Sequence, residues 1–150
     1  MLNLRRTNSE ENDFINLVFK LDEYLHVIDG DKHPFFAQFN KLDSIKNVIV
    51  AYEDEVPVGC GAIKKYIEDT MEVKRMYVKP EARGKGIGRK ILNELEIWTL
   101  ELNYNKCILE TSKKLIEAVR LYKNSGYNII PNYGQYKVIE SSICFEKKLR

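Results

Sequence analysis

The chain has 150 residues but only three cysteines, Cys60, Cys107 and Cys144, with no Cys-x-x-Cys spacing among them. An odd, scattered set does not make a disulfide framework, and each thiol lies in an apolar, strand-like run. That suits reduced, buried thiols in a reducing compartment. No histidine lies near any of them in sequence, so none is read as a nucleophile. No apolar stretch follows Met1-Leu2-Asn3-Leu4-Arg5-Arg6, so no signal peptide is expected, and no window approaches the ~18 apolar residues of a membrane helix. Neither sign of charge is in excess: Lys+Arg 24 against Asp+Glu 22 leaves +2, mixed along the chain. This points to neither nucleic acid nor a membrane surface as partner. Repeats, low-complexity segments and linkers are also missing. With 44% hydrophobic and 31% charged residues, residues 1–150 read as one soluble, cytoplasmic domain large enough to bury a core.

Leu2 to Arg6 alternates as a short strand. Ser9 is placed to cap a helix with Glu10 and Glu11 in its first turn. Phe14, Leu17, Val18, Leu21, Leu25 and Ile28 keep helical spacing, which predicts a helix to about His26. Asp29 to Leu42 reads as loop or a short helix around Pro34. The period then changes. Val48 to Tyr52, Val56 to Ile63 and Met71 to Val78 read as a three-strand meander, with Pro57 near a strand start. After a loop over Lys79 to Lys85, Ile87, Ile91, Leu95, Trp98 and Leu102 share one helix face. Cys107 to Leu109 is a buried strand, and Leu115, Ala118, Val119 and Tyr122 mark a helix ended by Gly126. Tyr127 to Ile130 and Ile143 to Glu146 are the closing strands. The order predicts a mixed α/β (α+β) sheet, antiparallel first, with a parallel strand-helix-strand crossover later.

The most informative residues are Arg83-Gly84-Lys85-Gly86-Ile87-Gly88, between a strand and a helix. Alternating glycines let backbone N–H groups approach a ligand closely. The helix start aims its unbonded N–H groups and positive dipole end at the same place. Arg83, Lys85, Arg89 and Lys90 add positive charge, so the segment reads as a pyrophosphate site. The plain alternative is a Gly-rich turn with a solvated basic face. A P-loop would need Lys-Ser or Lys-Thr after its last glycine. A dinucleotide fingerprint would need glycine where Arg89 stands, although Glu110 has the place of a ribose-binding acid.

Arg83-x-x-Gly86-x-Gly88 resembles the pyrophosphate-binding signature of the GNAT superfamily of acetyl-CoA-dependent N-acetyltransferases. The likeness continues through Met71-Glu72-Val73-Lys74-Arg75-Met76-Tyr77-Val78 before it. It also takes in Glu117-Ala118-Val119-Arg120-Leu121-Tyr122-Lys123-Asn124-Ser125-Gly126-Tyr127 after it. The resemblance implies a GNAT fold, with a mixed central sheet of about seven strands and about four helices. It implies acetyl-CoA as co-substrate, no metal, and direct transfer of acetyl to an amine, with a small-molecule acceptor favoured. It leaves a homodimer open. Cofactor contacts are implied at Met76, Tyr77, Val78, Arg83, Gly84, Lys85, Gly86, Ile87 and Gly88. Leu115 stands near the place where many relatives have a cofactor-binding asparagine, so no cofactor role is assigned there.

Amide formation from a thioester requires deprotonation of an ammonium, stabilisation of an oxyanion and protonation of a thiolate. Tyr122 matches the family tyrosine set beside the sulfur as general acid, although its spacing also suits a core aromatic. Glu72 stands where some members carry the general base; the alternative is a carboxylate paired with Lys74. His26, Asp29, Asp31 and His33 look superficially like metal ligands but are read as loop residues, with Asp29 and Asp31 able to attract a cationic amine. Tyr133, Gly134 and Tyr136 are candidate walls of that acceptor pocket. The rivals are a non-catalytic acyl-CoA-binding regulator, a protein N-acetyltransferase and a Rossmann-type nucleotide module.

Overall fold

The computed structural model describes residues 1–30 and 44–150. One sheet of seven strands organises the chain: β1 (Leu2–Thr7), β2 (Asn47–Glu53), β3 (Val56–Ile67), β4 (Thr70–Val78), β5 (Lys106–Ser112), β6 (Asn128–Ile130) and β7 (Ser142–Lys148). Its spatial order is β1-β2-β3-β4-β5-β7-β6, antiparallel throughout except for the β4/β5 pair. That exception is the expected crossover, made by α2 (Ile87–Glu101). The last strand, β7, inserts between β5 and β6 rather than adding at the edge. No helix among the described residues is long and apolar enough to cross a membrane.

Helices cover both faces. Helix α1 (Asn12–Asp29) packs Phe14, Leu17, Val18 and Leu21 against Val48, Val50, Cys60 and Ala62. On the other face, α2 packs Ile87, Ile91, Leu92 and Leu95 against Ile49, Ile63, Val73 and Leu109. Helix α3 (Ile116–Asn124) brings Tyr122 to that second core. Strand β2 is consequently buried on both sides from Val48 to Tyr52, which is why it reads as an unbroken apolar run. Three buried thiols, at Cys60, Cys107 and Cys144, remain free.

Several expectations are corrected in detail. Ser9 does not cap α1: its Oγ accepts from the Ile45 N–H at 2.9 Å, tying the first turn to the start of β2. Glu11 is the cap residue, and the helix runs to Asp29 rather than His26. Leu102 falls just beyond α2 and is exposed, while Leu92 and Thr99 complete the buried face. Three α-helices lie among the described residues, with 3-10 turns at Pro80–Ala82 and Gly134–Tyr136. The short helix expected around Pro34 lies outside the described residues, as do Asp31 and His33. Gly126 does follow the end of α3, with φ 91°.

The parallel pair is short. Its register runs only from Thr70↔Lys106 to Glu72↔Ile108, after which the strands diverge. A bulge lies just beyond: between Lys74↔Ala62 and Tyr77↔Cys60, Arg75 and Met76 on β4 oppose Gly61 alone on β3. Arg75 adopts φ 61°, a left-handed conformation that turns the strand. The buried Cys60 thiol donates to the Arg75 carbonyl at 3.3 Å, giving the displaced oxygen a partner. Gly61 is required opposite this bulge. A Cβ there would meet the Met76 sulfur at 2.5 Å, Ile91 at 2.9 Å and Leu95 at 3.0 Å. Gly61→Ala is therefore expected to lower unfolding free energy by ~1–3 kcal/mol, the range for overpacking a core. Chemical denaturation checks this, and an unchanged midpoint would show that Met76 yields without cost.

Candidate active site

Two cavities meet where β4 and β5 part. The outer one, about 480 Å³, lies between the end of β4, the loop before α2 and the start of α3. The inner one, about 120 Å³, lies on the α1 side of the sheet. Leu21, Met76, Leu115 and Tyr122 line both, so the two cavities adjoin at these four side chains.

The outer cavity is built for an anion. Gly84 and Gly86 have φ of 81° and 78°, and a Cβ on either would meet nothing within 4 Å: their open faces form the rim of the site. Gly86 precedes α2 with no side-chain cap, so the first-turn N–H groups remain available. Arg83 donates from Nε to the Val78 carbonyl at 2.9 Å and stacks over Tyr24 and Tyr77 at 5.2 and 5.8 Å. It fastens the loop to β4 and α1, while the rest of its five-donor guanidinium faces the cavity. Lys85 turns away, pairing with Glu53 at 3.2 Å. Beyond Glu72, β4 has no partner strand on its β5 side. Its backbone there offers hydrogen-bonding groups to an extended ligand.

The inner cavity is acidic and aromatic. Glu72 from β4, Glu110 from β5 and Asp29 from α1 line it, together with Lys74, Arg75 and Tyr136. Ser142 donates to Glu110 Oε2 at 2.6 Å. Burial pushes the Glu110 carboxyl up to about 7; Asp29 and Glu72 add to this, while Ser142 and Lys74 oppose it. Tyr133 donates to Glu72 Oε2 at 2.6 Å, and Lys74 approaches Glu72 Oε1 to 3.7 Å. Tyr122 is 5% exposed and reaches the junction from α3, with its ring against Tyr127 and Phe145. Burial, then the Glu110 charge, raises its phenol well above the ordinary value. The site thus joins a carboxyl that burial raises to about 7 to a phenol that burial raises well above its ordinary value.

Of the residues picked out in sequence, Met76, Tyr77, Val78, Arg83, Gly84, Gly86, Ile87 and Gly88 line the outer cavity and Glu72 the inner one. Tyr122 lines both, and the Lys85 side chain lines neither. Asp29 and Tyr136 do border the inner cavity, and Tyr133 reaches it through Glu72. Sequence reasoning missed Glu110 as part of the inner cavity, having considered it only as a ribose-binding acid. The available signal was an acid inside an apolar strand next to the crossover. Leu21, Tyr24 and Lys114 were also missed, because long-range packing alone brings α1 and the start of α3 to the cavity.

Comparison with known proteins agrees with this geometry. Residues 44–129 match the family model described as an acetyltransferase (GNAT) domain. The chain is 31% identical over 154 residues to the IAA acetyltransferase of Azospirillum brasilense, covering 97% of each. It is 31% identical over 139 residues to the uncharacterized N-acetyltransferase YjgM of Escherichia coli, covering 85% of this chain and 82% of that one. A Klebsiella pneumoniae structure assigned as an acyl-CoA N-acyltransferase superposes with TM-score 0.84 at 26% identity, covering 100% and 99% of the two chains. The PaiA N-acetyltransferase of Thermoplasma acidophilum, in complex with coenzyme A, shares the fold with TM-score 0.71 at 21% identity over 99% of each chain. The glycine loop, the parted parallel strands and this sequence likeness together identify the chain as a member of the GNAT acetyltransferase family.

Proposed function

We propose that this protein transfers the acetyl group of acetyl-CoA directly to the amine of a small molecule. The observation that carries the reading is the junction at Tyr122, where an anion-binding cavity meets an acidic one. The glycine rim, the uncapped start of α2, Arg83 and Arg89 suit the pyrophosphate of coenzyme A. The unpartnered edge of β4 from Met76 to Val78 suits its pantetheine arm, in extended pairing. Bound there, acetyl-CoA supplies an activated thioester. Three buried thiols support direct transfer: none lines either cavity, and burial raises Cys60 to about 12 and Cys107 and Cys144 to about 11. A thiol held protonated is a poor nucleophile.

Glu110 accepts the ammonium proton. The desolvation that raises its carboxyl also lowers the pKa of an ammonium beside it, bringing the two within reach of each other. Ser142 holds Oε2, so Oε1 is the oxygen presented to the amine. Glu72, with Oε2 taken by Tyr133 and Oε1 paired with Lys74, is the weaker candidate for the base. Tyr122 donates a hydrogen bond to the departing sulfur. Full proton transfer from so weak an acid is uphill, so the hydrogen bond itself does most of the stabilising. The backbone N–H groups of β4 near Met76 are the donors for the developing oxyanion.

Acetyl-CoA is expected to raise the melting temperature while NAD does not, by linkage to the folded state. Gly86→Val should remove that shift, because a β-branched residue is strained at φ 78°. A shift with NAD alone would favour a nucleotide-binding module instead.

The base must be ionised to work. Wild-type kcat/KM should accordingly rise with pH through about 7 and level off above it. Glu110→Gln should cut kcat by ~10²- to 10⁴-fold and abolish that limb. An unaltered limb in Glu110→Gln, with Glu72→Gln removing it, would transfer the role to Glu72.

Tyr122→Phe keeps the ring contacts with Tyr127 and Phe145 and deletes the donor. Stability and acetyl-CoA affinity should hold while kcat falls ~10- to 10²-fold. Lost stability with unchanged turnover per folded molecule would make Tyr122 a packing residue alone.

A further inference from the structure

With Glu110 as base, the chemistry leaves Glu72 unused, yet it is among the most firmly held groups in the inner cavity. Tyr133 donates to its Oε2 at 2.6 Å. The Tyr133 ring is fixed edge-on against Tyr66 at 5.2 Å and Tyr136 at 5.7 Å. The loop that carries it is pinned by the Asn132 amide, which donates to the carbonyls of Tyr136, Ile139 and Ser142 at 3.1–3.2 Å. The other oxygen, Oε1, pairs with Lys74 at 3.7 Å, too long for a hydrogen bond, so it keeps acceptor capacity at a residue that lines the cavity. A carboxylate braced in this way is pre-organised to receive a cation.

Glu72 also stands at a defined distance from Glu110. Its partner across the parallel pair is Ile108, and Glu110 lies two residues farther along β5 on the same face. The strands part just beyond this pair, so ordinary strand spacing, ~8 Å between the two Cα atoms, is the least separation they can have. Both carboxylates line one cavity. They can therefore hold the two ends of one short ligand, each by a hydrogen bond.

We propose that Glu72 is the specificity-determining anchor of the acceptor site and that the acceptor is a short aliphatic diamine. One nitrogen reacts at Glu110, and the other stays protonated against Glu72 Oε1. This rests on the acetyl-transfer reading above. Asp29 adds negative charge on the α1 side of the same cavity, while Lys74 and Arg75 oppose it. The Lys74 ammonium is the natural competitor: an acceptor with a carboxylate at its far end would turn to Lys74 instead. The two cases differ only in the far group of the acceptor.

Initial rates of thiol release from acetyl-CoA should be compared for three acceptors of matched chain length, putrescine, n-butylamine and γ-aminobutyrate. Putrescine should exceed n-butylamine in kcat/KM by ~10- to 100-fold, the size of one charge-assisted hydrogen bond, mainly through a lower KM. Glu72→Gln should bring that ratio close to unity. Tyr133→Phe, which leaves the carboxylate but removes its brace, should narrow the ratio in the same direction. Equal use of putrescine and n-butylamine by wild type, or a ratio that survives Glu72→Gln, would overturn the anchor while leaving acetyl transfer standing. Preference for γ-aminobutyrate would overturn it in favour of Lys74. Turnover of none of the three overturns the diamine proposal. Acetylation of other amines would then show that the transfer reading survives without it.

Discussion

The parting of β4 from β5 is the constraint on which the rest of the site depends. Paired along their whole length, the two strands would seal the sheet and separate the faces covered by α1 and α2. They part after three residue pairs. The bulge at Arg75 and Met76 diverts β4, and Gly61 gives the diverted strand room. Strand β5 loses little by this, since β7 pairs with it over all seven residues. The insertion of β7 between β5 and β6 is thus part of what lets the gap exist. Tyr122 reaches into the gap from α3, so the residue beside the junction is also packed into the core by Tyr127 and Phe145.

The opening separates two electrostatic environments. On one side lie backbone N–H groups, Arg83, Arg89 and Lys114, with little but glycine at the rim. On the other lie Asp29, Glu72 and Glu110, with Lys74 and Arg75 partly offsetting their charge. Apolar Leu21, Met76 and Leu115 stand between them with Tyr122. Burial raises the Glu110 carboxyl to about 7 although a serine hydroxyl and a lysine favour the charged form. A polyanionic ligand and a cationic one can therefore occupy neighbouring cavities without competing for the same groups.

Much of this was legible in the sequence. The glycine loop announces itself because backbone approach needs the same residue type wherever it occurs. Strand and helix periods located β2 to β5, α2 and α3 to within a few residues, since one buried face imposes a fixed spacing. The start of α1 was misjudged because Ser9 had a better partner than a helix N–H. That partner, the Ile45 backbone, is 36 residues away and invisible to a local rule. Lys85 illustrates the same limit. Within the loop it reads as a phosphate ligand, but the fold offers it Glu53 on a neighbouring strand.

The sequence by itself determined the family, the mixed sheet and the glycine loop that lines the outer cavity, because each is encoded in short-range patterns of glycine, apolar period and helix start. Only the tertiary structure decided what surrounds each carboxylate. Glu72 and Glu110 are both acids within strands, and nothing local distinguishes them. Their surroundings differ: Tyr133 and Lys74 contact Glu72, while Ser142 and burial act on Glu110, which Lys74 also influences. A carboxylate's acidity is set by solvation and by neighbours in space, and two of those neighbours, Tyr133 and Ser142, come from the start of β7 and the loop before it, far along the chain.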